Sequence, residues 1–251
     1  MESQEQLNDP ENARVDDRRE GQNETQQYSV PWKGIDNWIA ILLLMLIEVV
    51  LLYLASRGLG RQAAQSAVLI LVQLVYLIPV LVVFAYRHLS LKHIGFGKFD
   101  WNILGLGCGL LIGCFGIIFI HNTVLTMLGI EIQGEKIMQI FGELDSPVWF
   151  VLVGVIFAPI VEEIFFRGFL FQGFRQQYGW IKGGLLSAAV FAVGHLDPVS
   201  LIPTFILGLL LAYMYHRTNS VWPGIILHFL VNAFGFCSLY AMTQLSDFIP
   251  V

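Results

Sequence analysis

Seven long apolar stretches dominate this 251-residue sequence and constrain its fold more than any other feature. Each is roughly 16 to 28 residues long, and most can cross about 30 Å of hydrocarbon as a helix. Residues 39–47, for example, are apolar throughout, whereas a membrane β-barrel needs alternating segments of about ten residues. The sequence therefore predicts an all-α fold, a polytopic integral membrane helix bundle of about seven transmembrane helices, with eight as the upper count. The predicted spans are 38–55, 66–86, 101–128, 148–171, 181–196, 200–215 and 221–241.

Composition supports the membrane assignment and limits the classes of partner. Hydrophobic residues make up 56% of the chain and charged residues 13%, about half the charged share of a soluble domain. The net charge of −5 comes largely from a leader rich in Glu, Gln, Asn and Asp, predicted to be a polar disordered tail over residues 1–37. No basic stripe indicates nucleic acid, so the lipid bilayer is the first predicted partner. Residues 38–128 are predicted to form the N-terminal transmembrane helices.

The distribution of Lys and Arg predicts how the helices lie across the membrane. With the N-terminus in the cytoplasm, eleven of these residues fall in cytoplasmic segments, and three, Arg57, Arg61 and Lys136, fall on the opposite side. Cytoplasmic loops of membrane proteins carry an excess of positive charge. We therefore predict a multi-pass protein of the cell (inner) membrane with a cytoplasmic N-terminus.

Three charged side chains, Glu162, Glu163 and Arg167, lie within six residues of the fourth predicted span. An ionisable group in the middle of a bilayer costs about 2.5–3.5 kcal/mol on insertion scales, so such groups usually face protein or water. Glu163 and Arg167 are four residues apart with the acid first, the favourable order for a helical ion pair. Glu162 is turned about 100° from Glu163 around the helix, so it is the carboxylate less committed to the arginine. Taken alone, the pair is equally compatible with a clamp that fixes helix packing.

Two further spans contain polar side chains that suit hydrolysis. The fifth predicted span ends near His195, and the seventh contains His228 and Asn232, which share one helix face at a spacing of four residues. Taken singly, each group also suits a bond between helices. Together with Glu162 they are the parts of a water-activating hydrolase, because a carboxylate and an imidazole can activate water while an imidazole and a carboxamide stabilise an oxyanion. The sequence contains neither G-x-S-x-G nor H-E-x-x-H.

Three motifs occur in order, each in its own predicted span: E-E-x-x-x-R at 162–167, F-x-x-x-H at 191–195 and H-x-x-x-N at 228–232. In this order they resemble the CAAX prenyl protease and bacteriocin-processing family. That family includes the type II CAAX endopeptidases, which are glutamate-dependent intramembrane proteases. The resemblance identifies residues 148–241 as a CAAX protease-like catalytic helical core with the active site inside the bundle.

The resemblance also implies roles for individual residues. Glu162 is the expected general base and shares the attacking water with His195, while His228 and Asn232 form the expected oxyanion site. With straight helices, however, His195 would lie about 10 Å to one side of the midplane and Glu162 about 4–5 Å to the other, at about 1.5 Å per residue. A shared site therefore requires the fifth span to be sunk or tilted, or part of 168–183 to re-enter the membrane.

The activity implied by the resemblance is metal-independent, cofactor-free hydrolysis of a peptide bond by an endopeptidase. Its partner is a peptide or protein substrate, with or without a lipid group, and Glu163 and Arg167 support the site. Two alternatives remain open. One is a metal-dependent membrane peptidase that uses Glu162, His195 and His228 as ligands, a set that suits Zn²⁺. The other is a non-enzymatic membrane protein, such as a bacteriocin immunity protein, a scaffold or a small-solute carrier.

Overall fold

A computed structural model of the chain describes residues 29–57, 65–134, 137 and 147–246, and every regular element in these ranges is helical. The predicted all-α fold class is therefore confirmed. The α-helices are α1 (Gly34–Ser56), α2 (Gln65–Val75), α3 (Leu77–Arg87), α4 (Asn102–Met127), α5 (Pro147–Leu152), α6 (Ala158–Glu163), α7 (Gln172–Gly194), α8 (Leu201–Thr218) and α9 (Trp222–Ser246). Two π-helical segments, π1 (Val153–Phe157) and π2 (Ile164–Phe171), connect α5 to α6 and α6 to α7.

The described helices are long and apolar enough to make this a multi-pass membrane protein. Five stretches meet that description, at Gly34–Leu51, Ile70–Arg87, Asn102–Met127, Val148–Gly194 and Pro198–Thr218, and a shorter apolar helix covers Trp222–Ser238. The stretch over 148–194 has 47 residues and is sharply broken at Gly179. Counted as two arms, it brings the number of apolar helices in the described ranges to the seven that the sequence predicts.

The outer surface of the bundle is apolar, as a lipid-facing surface must be. On α4 the side chains of Ile112, Phe119 and Met127 are 72%, 73% and 81% exposed. An apolar patch of this extent is rare on a soluble monomer. Helix α4 therefore lies at the lipid boundary, whereas π2 is buried in the interior over residues 165–171.

The folded part of the chain begins earlier than the sequence predicts. Residues 1–28, most of the predicted tail, lie outside the described residues, but Trp32 is fully buried and its indole stacks on a phenylalanine of π2 at 5.2 Å. The Asn37 side chain donates a 2.7 Å hydrogen bond to the Leu170 carbonyl. Helix α1 therefore begins at Gly34, and the last residues of the predicted tail pack onto the bundle because the buried indole outweighs the polar composition around it.

The fourth and fifth predicted spans form one helical hairpin that turns at Gly179. The sequence predicts a helix end at residue 171, but π2 continues directly into α7. Gly179 has a φ of 80°, a left-handed conformation that glycine adopts at little cost. A Cβ atom added to Gly183 would lie 2.7 Å from the backbone nitrogen of Arg175. Residues eight apart in a straight helix are about 12 Å apart, so the two arms must fold back against each other.

This hairpin corrects the expected difference in depth between Glu162 and His195. Glu162 lies 17 residues before Gly179, and His195 lies 16 residues after it. Both arms rise from the same turn at about 1.5 Å per residue, so the two side chains reach similar heights. The straight-span expectation was wrong because helix continues over residues 172–178, where the sequence predicts a connection.

Candidate active site

The buried part of the site is an ion-pair cluster of Glu163, Arg167 and His228, which we call the closed cluster. Arg167 Nη1 contacts Glu163 Oε1 at 2.6 Å, and neither side chain has exposed surface. Arg167 Nη2 donates a 3.1 Å hydrogen bond to the carbonyl of Gly208 in α8. His228 Nδ1 lies 3.3 Å from the same Glu163 oxygen. The closed cluster therefore ties the Glu-bearing helix to both α8 and α9.

The ring of Phe191 in α7 packs against the guanidinium group of Arg167 and the imidazole rings of His195 and His228. Its centroid lies 4.4 Å from Arg167 Cζ, a distance suited to a cation–π interaction. The rings of His195 and His228 meet it nearly perpendicularly, at centroid distances of 4.7 and 5.7 Å. One buried phenylalanine therefore fixes the spacing between the arginine and both histidines.

Glu162 faces away from the closed cluster and lines a cavity of about 610 Å³. Consecutive helix residues point about 100° apart, which is why the two neighbouring carboxylates reach different surroundings. Glu162 is 7% exposed, and its Oε2 atom accepts no hydrogen bond from the described residues. His228 Nε2 lies 3.9 Å from that oxygen, too far for a hydrogen bond.

The same cavity is lined by His195, His228 and Asn232. We call Glu162, His195 and Asn232 the cavity wall, whereas His228 belongs to the closed cluster and reaches the cavity from it. Most of the remaining lining is apolar and comes from α4, α8, α9 and the start of the hairpin. It includes Leu111, Phe115, Ile118, Phe150, Leu207 and Phe234.

The main chain fixes the tautomer of neutral His195. Its Nδ1 atom lies 2.8 Å from the Phe191 carbonyl oxygen. A carbonyl oxygen can only accept, so Nδ1 carries the proton and Nε2 keeps its lone pair. His195 is therefore prepared to accept a hydrogen bond or a proton through Nε2.

Asn232 bonds to a carbonyl that Pro159 leaves without a backbone donor. Hydrogen bonds at the end of π1 span five residues, since the Ala158 N–H donates to the Val153 carbonyl. The next donor in that pattern would be Pro159, which has no N–H. Asn232 Nδ2 donates to the Gly154 carbonyl instead, at 2.8 Å. One N–H of the carboxamide thus supports π1, and its second N–H is not used in this bond.

The structure brings all six predicted site residues into one region, four lining the cavity and two buried beside it. Their chemical roles remain predictions. Sequence reasoning missed Gln73 and Tyr76, which line the cavity from the second predicted span. An amide and a phenol inside an apolar span were the signals that could have identified them. The Gly208 carbonyl could not have been identified, because a main-chain acceptor leaves no trace in the residue type.

The side chains proposed as metal ligands are not grouped as that alternative requires. Among the described residues no set of three or more His, Cys, Asp or Glu side chains is placed to hold a metal ion. Glu162, His195 and His228 share the cavity but do not form a ligand triad in this arrangement.

Comparison with known proteins places the site in a recognised family segment. Residues 144–234 match the family model described as type II CAAX prenyl endopeptidase Rce1-like. The matched segment contains all six predicted site residues, and residues 29–134 lie outside it. No solved structure matches the chain.

Several curated proteins are also similar to this chain. The protein named "Putative membrane peptidase YdiL" from Bacillus subtilis is 27% identical over 133 residues, 53% of this chain and 54% of that protein. An "Uncharacterized 24.3 kDa protein" from Escherichia coli is 24% identical, with 53% of this chain and 65% of that protein covered. The chain therefore spans between half and two thirds of these two relatives. The resemblance predicted from the three motifs is confirmed, since residues 144–234 match the family model of the type II CAAX prenyl endopeptidases.

Proposed function

We propose that this protein is an intramembrane endopeptidase that hydrolyses a peptide bond with water activated by Glu162 and His195. The observation that carries the proposal is the shared cavity, which is lined by a carboxylate, two imidazoles and a carboxamide. The match of residues 144–234 to a type II CAAX prenyl endopeptidase family supports the same class of reaction.

In the proposed first step, Glu162 takes a proton from a water molecule as the water oxygen attacks the scissile carbonyl carbon. The new C–O bond forms while the carbonyl π electrons move to its oxygen, which becomes the oxyanion. His195 Nε2 accepts a hydrogen bond from the same water and orients it. In the second step the carbonyl re-forms, the C–N bond breaks, and the proton held by Glu162 passes to the departing amine. Glu162 is thus base and then acid.

The oxyanion of the intermediate is proposed to bind between His228 and Asn232. Asn232 offers the N–H that it does not donate to Gly154. His228 is proposed to donate to the oxyanion through Nε2, while its Nδ1 atom lies 3.3 Å from Glu163 Oε1. Donors aimed in advance at a developing negative charge are a large source of catalysis in sites that exclude water.

The substrate of the proposed reaction is a peptide or protein segment that enters from the lipid. The cavity volume of about 610 Å³ and its largely apolar lining suit a few residues with apolar side chains or a lipid group. We also propose the cell (inner) membrane as the location and the cytoplasm as the side of the N-terminus. The arrangement of Lys and Arg supports that orientation.

The decisive experiment compares purified wild-type protein with Glu162→Gln on a membrane-reconstituted peptide library. Each sequence is supplied with and without a lipid group. Because glutamine cannot accept the proton, we expect kcat to fall by about 10²–10⁴-fold, as for loss of a general base. Glu48→Gln in α1 is the matched control. It also removes a carboxylate from an apolar helix, but Glu48 does not line the cavity. Equal cleavage by wild type and Glu162→Gln would refute the mechanism, and no cleavage by either would favour a carrier, scaffold or immunity protein.

Metal independence is tested separately, with the same cleavage assay. After exhaustive chelation and elemental analysis of the purified protein, we expect unchanged kcat with no stoichiometric transition metal. Loss of activity that returns on adding Zn²⁺ would instead support the metallopeptidase alternative.

A further inference from the structure

Tyr76 lies at the cavity but outside the segment that matches the family. It occupies the turn between α2 and α3, and its side chain lines the cavity together with Glu162 and His195. Its hydroxyl group donates a 3.3 Å hydrogen bond to the carbonyl of Gly194, the last residue of α7. The bond therefore reaches the residue next to His195 from another helix.

The Gly194 carbonyl lacks the donor that a continuing α-helix would supply. A carbonyl in a continuing α-helix accepts from the N–H four residues later, which here would be residue 198. Residue 198 is Pro198 and has no N–H, and the chain has already left the helix at Leu196, where φ is 51°. The last carbonyls of a helix require partners from elsewhere. The Tyr76 hydroxyl is the partner that the structure records for Gly194.

The ring of Tyr76 is linked to the His195 ring through a series of aromatic contacts. It packs on Phe166 of π2 at a centroid distance of 5.6 Å. Phe166 meets Phe191 at 4.9 Å, and Phe191 meets the His195 ring at 4.7 Å. The hydrogen bond from the Tyr76 hydroxyl to the Gly194 carbonyl provides a second link to His195, through the main chain. The end of α7 is thus held on one side by its own aromatic contacts and on the other by Tyr76.

We propose that Tyr76 is a positioning residue for His195 in the proposed reaction. Its hydroxyl holds the end of α7, and so holds the imidazole at the depth of Glu162. This inference rests on the proposed function for its catalytic consequence, but the positional claim itself does not depend on any activity. The catalytic segment is therefore completed by a residue from the N-terminal helices, which the family match does not cover.

The positional claim is tested by hydrogen–deuterium exchange of the reconstituted full chain. Tyr76→Phe removes the hydroxyl and keeps the ring. We expect the amides of residues 195 and 196 to exchange about threefold to tenfold faster, the effect of losing one intramolecular hydrogen bond. Tyr215→Phe is the matched control, because the Tyr215 hydroxyl donates a 3.0 Å bond to the Ile94 carbonyl away from the cavity. Unchanged exchange over 191–197 in Tyr76→Phe would overturn the proposal.

The catalytic consequence is tested by a double-mutant cycle with the best peptide substrate. Tyr76→Phe is expected to lower kcat about threefold to tenfold with KM unchanged, whereas Tyr215→Phe leaves both constants unchanged. On a His195→Ala background, Tyr76→Phe should have no further effect, because groups that act as a unit are not additive. If Tyr76→Phe lowers kcat by the same factor in the wild-type protein and in His195→Ala, Tyr76 does not act through His195. If the wild-type protein cleaves no peptide, the proposed function fails, and the exchange result still decides whether Tyr76 holds α7.

Discussion

The closed cluster and the cavity wall use similar side chains in opposite ways. In the closed cluster, Glu163 is fully buried and one of its oxygens contacts both an arginine and an imidazole. In the cavity wall, the adjacent Glu162 lines the open space, and His228 Nε2 lies 3.9 Å from its Oε2 atom, too far for a hydrogen bond. The two carboxylates are one residue apart, yet only Glu163 has a full cation within bonding distance.

This difference teaches that burial alone does not identify a reactive carboxylate in a membrane protein. Glu163 is the more buried of the two, but its charge is compensated and its geometry is fixed by the protein. Glu162 is incompletely compensated and faces a space that a substrate can fill. Variants in the closed cluster should therefore affect stability first, and variants in the cavity wall should affect kcat first.

The largest expected effect on stability comes from Arg167→Leu. The variant leaves Glu163 without its cation inside the bundle, and loss of one partner of a buried pair costs about 3–5 kcal/mol. The free energy of unfolding, measured by denaturant titration in detergent micelles, should fall by that amount. The double variant Glu163→Leu with Arg167→Leu removes both charges, so it should recover much of the loss. A double variant no more stable than Arg167→Leu would contradict the idea that the uncompensated charge causes the effect.

Asn232→Ala tests whether the Asn232 side chain in the cavity wall stabilises the oxyanion. Loss of one donor of this kind costs about 10²–10³-fold in kcat, whereas loss of the bond to Gly154 should cost only about 1 kcal/mol of stability. The effect on kcat is measured with the peptide identified in the library. The effect on stability is measured by the unfolding titration. A large loss of stability with kcat preserved would show that Asn232 has only a structural role.

Much of this arrangement could be predicted from the sequence because its signals are local. Apolar stretches indicated membrane helices, and a spacing of four residues indicated the ion pair between Glu163 and Arg167 that the structure contains. The three ordered motifs identified every residue of the closed cluster and the cavity wall. Each of these inferences uses residues within one helical turn or one span.

The rest depended on contacts between segments far apart in the chain. The hairpin at Gly179 appears in the sequence only as a glycine between Tyr178 and Trp180, so the helix over 172–178 was predicted as a connection. Trp32 looked like part of a polar tail because its partners in π2 lie more than 100 residues later. Tyr76 was missed for the same reason, since the carbonyl that it bonds to is 118 residues away.

A smaller loss of stability than that of Arg167→Leu is expected from changing a glycine that lets α9 approach the closed cluster. A Cβ atom added to Gly224 would lie 2.6 Å from Glu163 Oε2, so Gly224→Ala forces the carboxylate or the start of α9 to move. Overpacking of this kind costs about 1–3 kcal/mol, less than removing the arginine, because the ion pair can shift while remaining paired. Gly235→Ala, also in α9, is the matched control for stability, since its added Cβ would meet nothing within 4 Å. Because His228 lies one turn after Gly224, a displaced α9 would also move the proposed oxyanion donor, and kcat should fall together with stability. Equal stability of the two alanine variants would mean that the closed cluster tolerates displacement and does not set the position of α9.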